Sequence, residues 1–309
     1  MQRDASRGVI LVTVLWAVAL MSALAMAASV TFRGFSGIVA IDRDWVRAEG
    51  LLNAGLEVAA GLVASRDEIP LAGIESTVTL STGRVHLRLD DEGGRIDIGQ
   101  APLDMLAALF SALGAPDADA VAQRIVQWRD ADAGMANGTS AKPAAKAPAA
   151  NPAPASQQPA AAAAKPASNP ASGQAFTDVR DLLQIPGVRP EFVAAAAPLT
   201  TVFGNATVNP LTAPAGVLAV LPGVTRARVA SFLDMRRVFP TDATRLTALL
   251  GAAAQAHLDV KPPQAVSVQL TTRLADGYTA GAAAVIVCLE GDRQPYRVLA
   301  WKPSPRPGL

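Results

Sequence analysis

The chain has 309 residues and a formal net charge of +1, so no global field draws it toward nucleic acid or an acidic surface. Half of its residues are hydrophobic but only 5% are aromatic, which points to cores built from small side chains. One cysteine, Cys288, excludes an internal disulfide, and His86 and His257 stand in no metal-ligand spacing.

The first element is an apolar run. Residues 9–28 carry no ionisable side chain, and about 20 helical residues cross a hydrocarbon core of roughly 30 Å. Arg3 and Arg7 precede the run, so the positive-inside bias holds that end in the cytoplasm and sends the remainder across. The run exceeds the roughly 7–15-residue core of a cleaved secretory signal. A plain membrane anchor would account for its length but not for the Arg7-Gly8 junction just before it.

No proline interrupts residues 9–69. Past the span, Ile41, Trp45, Ala48, Leu52, Leu56, Ala59 and Val63 recur at steps of three and four, an amphipathic helical face. Asp42, Arg43, Arg47, Asn53 and Glu57 take the other faces. The spacing predicts one long helix over residues 9–69, about 90 Å if unbroken, with Gly34 and Gly37 as its soft point. Strands follow in "STVTLS", "RVHLRLDDE" and "GRIDIG". Helices follow in "APLDMLAALFSALG" and "PDADAVAQRIVQWRDAD". Residues 133–175 are almost all Ala, Pro, Lys, Ser and Asn, a composition unable to bury a core and read as a mobile loop. Helical segments over 176–199, a partly extended "TTVFGNATVNPLT" and helices over 214–257 come next. The last strands, "QAVSVQLTTRLA" and "AAAVIVCLE", lead into "YRVLAWKP".

These elements predict an α+β fold: a long N-terminal helix packed on a small antiparallel sheet, with a large α-helical domain inserted between strands. The expected divisions are a leader over 1–8, the long helix over 9–69 with a transmembrane half over 9–28, and a first sheet part over 70–99. The inserted helical domain then covers 100–260, including the Ala/Pro-rich loop, and C-terminal strands cover 261–309.

Chemistry is scarce. The sequence has no Gly-x-Ser-x-Gly elbow, no phosphate loop and no recognisable histidine–carboxylate pairing, so no enzyme is expected. Cys288, in an apolar strand, reads as a buried small hydrophobe. Trp16 and Trp45 read as packing residues. Asp130, Asp132 and the acids at 90–92 are oxygen donors of the kind calcium takes, without a mapped ligand set. Two Pro-Gly turns, "LLQIPGV" and "VLAVLPGVTRARVASFLDMRR", look like helix-hairpin-helix elements, whose amides can hold a phosphate. Gly187, Gly223, Arg226 and Arg228 are the candidate phosphate contacts. A membrane-tethered DNA-binding protein of a DNA-uptake system is therefore the alternative reading. Arg189 and Thr225 stand where DNA-binding hairpins usually carry a second glycine, and the domain has no general basic excess, so nucleic acid is not among the expected partners.

The Arg7-Gly8 junction resembles the class III signal of type IV pilins and pseudopilins. That resemblance implies cleavage by a prepilin peptidase between Gly8 and Val9, methylation of the new amine, and retention of the apolar helix. Such proteins usually carry glutamate at the fifth mature position. Here that position is Thr13, a departure that resembles the K-type minor pseudopilins of type II secretion. Further along, "DEGGRIDIG" (91–99) is similar to that family's Asp-Glu-x-Gly-Arg-hydrophobic-Asn motif, with Asp97 in place of asparagine. "QWRDAD" (127–132), "FTDVRDLLQIPGV" (176–188) and "TVFGNATVNPLTAPAGVLAVLPGV" (201–224) resemble later family segments in the same order.

The resemblance implies a pseudopilin fold with a helical insertion at the tip of the periplasmic pseudopilus, assisting initiation of its assembly and export of folded proteins across the outer membrane. It implies an inner-membrane, single-pass protein with a cytoplasmic N-terminus and a periplasmic C-terminal domain. The implied partners are the I- and J-type minor pseudopilins, the major pseudopilin, the prepilin peptidase and the inner-membrane secretion platform. No cofactor is implied, apart from calcium, which some family members bind.

Overall fold

The structure is a computed structural model that describes residues 3–65, 70–138, 175–289 and 295–304, with side chains in the first helix described over 12–26 and 42–65 and those of the third helix as far as Ala131. The 133–175 loop lies almost entirely outside the described residues.

Helix α1 (Arg3–Ala64) is followed by strands β1 (Ala72–Leu80) and β2 (Gly83–Asp91), joined by a tight turn at Ser81-Thr82. Two short pieces of chain then lead through β3 (Ile96–Asp97) into α2 (Leu103–Ala112) and α3 (Ala118–Gly138). A 3-10 turn at Val179–Gln184 precedes α4 (Pro190–Ala196), β4 (Thr200–Thr201), α5 (Ala215–Val220), α6 (Arg226–Val238), α7 (Ala243–Leu250) and α8 (Ala252–Gln255). Strands β5 (Val266–Leu274), β6 (Thr279–Cys288) and β7 (Tyr296–Ser304) close the fold.

The large sheet has the order β1-β2-β5-β6-β7, and every pairing in it is antiparallel. Alternation decides its two faces. Val85, Leu87 and Leu89 of β2, Val266, Val268 and Leu270 of β5 and Ala282, Ala284 and Ile286 of β6 point to one side and are buried. Leu52, Leu56, Ala59 and Ala60 of α1 pack on that side. Ala48, Leu52, Leu56 and Ala59 thus sit where helical periodicity puts them. Trp45 does not: it is 54% exposed, because the buried stripe of α1 starts one turn later at Ala48. Glu57, on the flank of the same helix, accepts a hydrogen bond from the Tyr296 hydroxyl of β7 at 2.8 Å. Burial first, and then that carboxylate, push the tyrosine up to about 12.

The helices between β2 and β5 form a second core of their own, around Phe110, Phe176, Phe232, Met105, Leu109, Ile125 and Leu182. Here the expected boundary moves. β3, read as part of the first sheet segment, instead pairs in parallel with β4 and belongs to the helical block. The sheet stops at Asp91, and the block begins one residue later. β7 is a full third strand after the insert, rather than a tail to the β5-β6 pair.

Candidate functional site

The site with the densest polar geometry is the knot that seats the helical block on the sheet, and it is made of residues 91–99 and their partners. Asp91 ends β2 and caps the 3-10 turn Glu92–Gly94 by accepting from the Gly93 amide at 2.8 Å. Its other oxygen accepts from the Thr212 hydroxyl at 2.8 Å and the Asn209 side-chain amide at 3.3 Å. Asn209 in turn receives the Leu211 amide at 3.1 Å, and its own backbone amide donates to the Gly93 carbonyl at 2.7 Å. A Cβ at Gly94 would come within 2.9 Å of the Thr212 carbonyl carbon, so the two segments meet too closely for any side chain there. Glu92, 3% exposed, is paired with Arg95 at 3.2 Å. Its amide donates to the Ala265 carbonyl at 3.0 Å, so the chain leaves the sheet and rejoins it at adjacent points.

Asp97 repeats the device deeper in the block. It accepts from the amides of Gly99 at 2.7 Å, Gln100 at 3.1 Å and Gly204 at 2.8 Å. Arg129 of α3 donates to the Ala101 carbonyl at 2.7 Å and lies near enough to favour the ionised acid. Phe176 closes the knot from the other side, 1% exposed. Segments 91–99, 176–188 and 201–224, distant in sequence, therefore meet in one place or pack in the core beside it, and 127–132 reaches them through Arg129 alone.

Burial pushes both Asp91 and Asp97 up from the ordinary carboxylate range, against the hydrogen bonds that pull them down. A carboxyl that holds its proton more tightly in the folded chain contributes stability that is complete below its unfolded value of about 3.9 and is lost as pH rises through the raised folded value. The stability of the protein relative to an Asp91→Asn/Asp97→Asn double variant is therefore expected to fall as pH rises from about 4. Urea midpoints of the two proteins across a pH series would check the sign.

The residues picked from the sequence are spread over the molecule. Gly8 and Val9 lie in α1, but their side chains are outside the described residues. Thr13 is on the exposed surface of that helix. Among the described residues no helix is long and apolar enough to cross a membrane; of the candidate span, 9–28, side chains are described only over 12–26. Gly187 and Gly223 adopt φ of 84° and 71°, as the two Pro-Gly turns require. The turns face different neighbours: Gly187 sits against Arg124 of α3, Gly223 against Ala253 of α8. Arg226 is exposed at the start of α6. Arg228 turns back onto its own hairpin, donating to the carbonyls of Gly223 and Leu250, each at 3.3 Å. Arg236 likewise donates to the carbonyls of Pro210 at 3.0 Å and Ala213 at 2.7 Å. These guanidinium groups stitch loops together.

The acids named as calcium donors do not converge. Asp90 is bonded to Arg88 at 3.0 Å and Asp130 lies 3.6 Å from Arg129, while the Asp132 side chain is outside the described residues. Among the described residues no group of three or more His, Cys, Asp or Glu side chains could hold a metal ion, and calcium takes six to eight oxygens. The described members of the set do not fit the ion.

Two sequence expectations are corrected. A histidine–carboxylate pair does exist: His257, buried, stands with Nε2 3.0 Å from Asp104 Oδ2. The two residues lie on α2 and just past α8, and only folding brings them together. Cys288 is half-buried at the end of β6 rather than buried, and its partial burial pushes the thiol up.

An antiparallel sheet thus carries α1 on one face, and a helical block is clipped to its end by a buried acid. Residues 87–205 match the family model of the type II secretion system (T2SS), protein K. Among solved structures the chain is similar to a chain in "The Crystal Structure of the GspK-GspI-GspJ complex from enterotoxigenic Escherichia coli Type 2 Secretion System". The TM-score is 0.54 at 14% identity, over 85% of this chain and 98% of that one. No curated protein matches the chain. Together, the family match and the structural likeness support a GspK-type minor pseudopilin, a protein of type II secretion.

Proposed function

We propose that this chain sits at the tip of the type II pseudopilus, where it assists the start of assembly and the export of folded proteins across the outer membrane. The observation that carries the reading is the insertion itself. The Glu92 amide and the Ala265 carbonyl are 3.0 Å apart, so the helical block hangs from one end of an otherwise continuous five-stranded sheet. A head enlarged in this way, without a glutamate at position 13, suits a subunit that begins a fibre and blocks further stacking above it. The fold is then a pseudopilin fold with an inserted helical domain.

In this reading residues 9–28 cross the inner membrane with the N-terminus cytoplasmic and the head periplasmic. A prepilin peptidase cuts between Gly8 and Val9, and the retained helix docks among the tail helices of the major pseudopilin on the secretion platform. The I- and J-type minor pseudopilins are the tip partners, by analogy with the complex named above. The role is structural. It calls for no catalytic group and no cofactor.

Replacing Gly8 by a bulky residue, as in Gly8→Phe, is expected to abolish maturation. Intact mass spectrometry would find the variant starting at Met1 and the parent protein starting at a methylated Val9. A parent protein that starts at Met1, or beyond the apolar run, would overturn the reading.

A further inference from the structure

The face of the sheet turned away from α1 is only partly covered. Across β5, β6 and β7 the register sets Ser267 beside Val285 and Ala300 in one row, and Gln269 beside Ala283 and Lys302 in the next. These rows alternate with Val268, Ala284 and Trp301, which point to the helix side. Opposite them stand the Val179–Gln184 turn and α4, which expose Leu183, Ala194 and Ala197. Between sheet and block lies a groove of about 540 Å³, within the roughly 300–1,000 Å³ of pockets that take small ligands. Its walls are mainly apolar and its floor is short-chained, so room is left for the side chains of an occupant.

The charges lie at the mouth and do not cancel. Glu92 is paired with Arg95, and Asp178 with Lys302, the latter pair tying the block to β7 across the groove. Arg180 lines the same groove and is exposed; it lies near enough to Asp178 to help hold that acid ionised, but Asp178 is already bonded to Lys302. Arg95, Arg180 and Lys302 thus face only Glu92 and Asp178, and the mouth keeps one positive charge in excess above an apolar slot.

We propose that this groove is a docking site for an extended peptide segment of a partner protein, built of small apolar residues and carrying a carboxylate that Arg180 receives. Sheet floor and block roof hold the apolar side chains, while the surplus guanidinium selects the acid, for which its planar fork is suited. This inference does not depend on where in a fibre the chain resides.

The test uses the full-length chain in lipid nanodiscs, with empty nanodiscs as control, and a fluorescein-labelled peptide of alternating alanine and valine ending in glutamate. Fluorescence anisotropy is expected to report saturable binding. Arg180→Glu, and Ala194→Trp, which fills the groove from an exposed helix position, are each expected to weaken it by about tenfold or more. Arg226→Glu, an exposed arginine outside the groove, should leave it unchanged. The peptide with glutamine and a C-terminal amide in place of its acids should bind about tenfold more weakly to the unmodified protein, an arm that needs no variant to fold. The proposal is overturned by absence of saturable binding up to about 1 mM, by equal binding of the uncharged peptide, or by binding equal to that of empty nanodiscs. It is also overturned if both groove variants keep the parent thermal transition and the parent affinity.

Discussion

Gly55→Leu is expected to destabilise the packing of α1 on the sheet by about 3 kcal/mol, near the upper end of overpacking costs. Glycine in mid-helix costs about 1 kcal/mol relative to alanine, so its presence there needs a reason. A Cβ at this position would lie 2.7 Å from Val85 Cγ2 and 3.0 Å from Leu270 Cδ2. Both are buried side chains of the sheet core, and valine is stiff at its first torsion. The glycine lets the helix axis approach where β2 and β5 meet beneath it. Leucine would need the space those two side chains fill, and the helix would lift. Gly55→Ala is expected to be much milder, since its gain in helix propensity offsets a smaller displacement. Thermal unfolding followed by tryptophan fluorescence, in a background with Trp16, Trp45 and Trp128 replaced by phenylalanine, would check both, because the Trp301 indole packs against the same core.

Asp97→Ala is expected to lower the stability of the helical block by about 3 kcal/mol. The amides of Gly99 and Gly204 lose their acceptor, while that of Gln100, an exposed residue, keeps its 3.3 Å bond to the Asp97 carbonyl; each buried donor left unpaired costs about 1–3 kcal/mol. Relief from burying a charge returns part of the total. Asp97→Asn should cost less. Its carbonyl can still serve Gly99 and Gln100, but its NH₂ would face the Gly204 amide donor to donor, a loss of about 1–2 kcal/mol. Urea denaturation followed by helical circular dichroism would rank alanine below asparagine and asparagine below the parent. An alanine variant as stable as the parent would mean that the Asp97 clip does not hold β3 to the 201–204 turn.

Much of this was legible before any coordinates. The three-and-four spacing of Ala48, Leu52, Leu56 and Ala59 reports the buried stripe of α1, because a helix on a sheet buries one face only. Alternation in "RVHLRLDDE" marks β2 for the matching reason. The order of motifs around Asp91, Arg129, Phe176 and Asn209 was readable too, though not the bonds that join Asp91 to Asn209 and Arg129 to the Ala101 carbonyl. Contacts such as Asp91 to Thr212 or His257 to Asp104 join residues with no periodic relation. Local pattern also misplaced "GRIDIG": a β-rich run does not say which sheet it joins, and β3 found its partner in β4. Trp45 was misread because periodicity tells which way a side chain points, not where the sheet beneath the helix ends. The groove over β5-β7 has no signature of its own, since its floor is merely the other half of an alternating pattern.

The adjacency of Glu92 and Ala265 bears on how the molecule folds. β2 and β5 are antiparallel neighbours paired from Gly83↔Leu274 to Asp91↔Val266, as in a hairpin whose two-residue turn has grown into a domain. A floppy linker of that length would charge a heavy entropic toll for zipping the two strands. A compact insert whose ends emerge side by side presents them already in register. Swapping the whole insert for a tight turn should therefore leave a small meander able to close by itself.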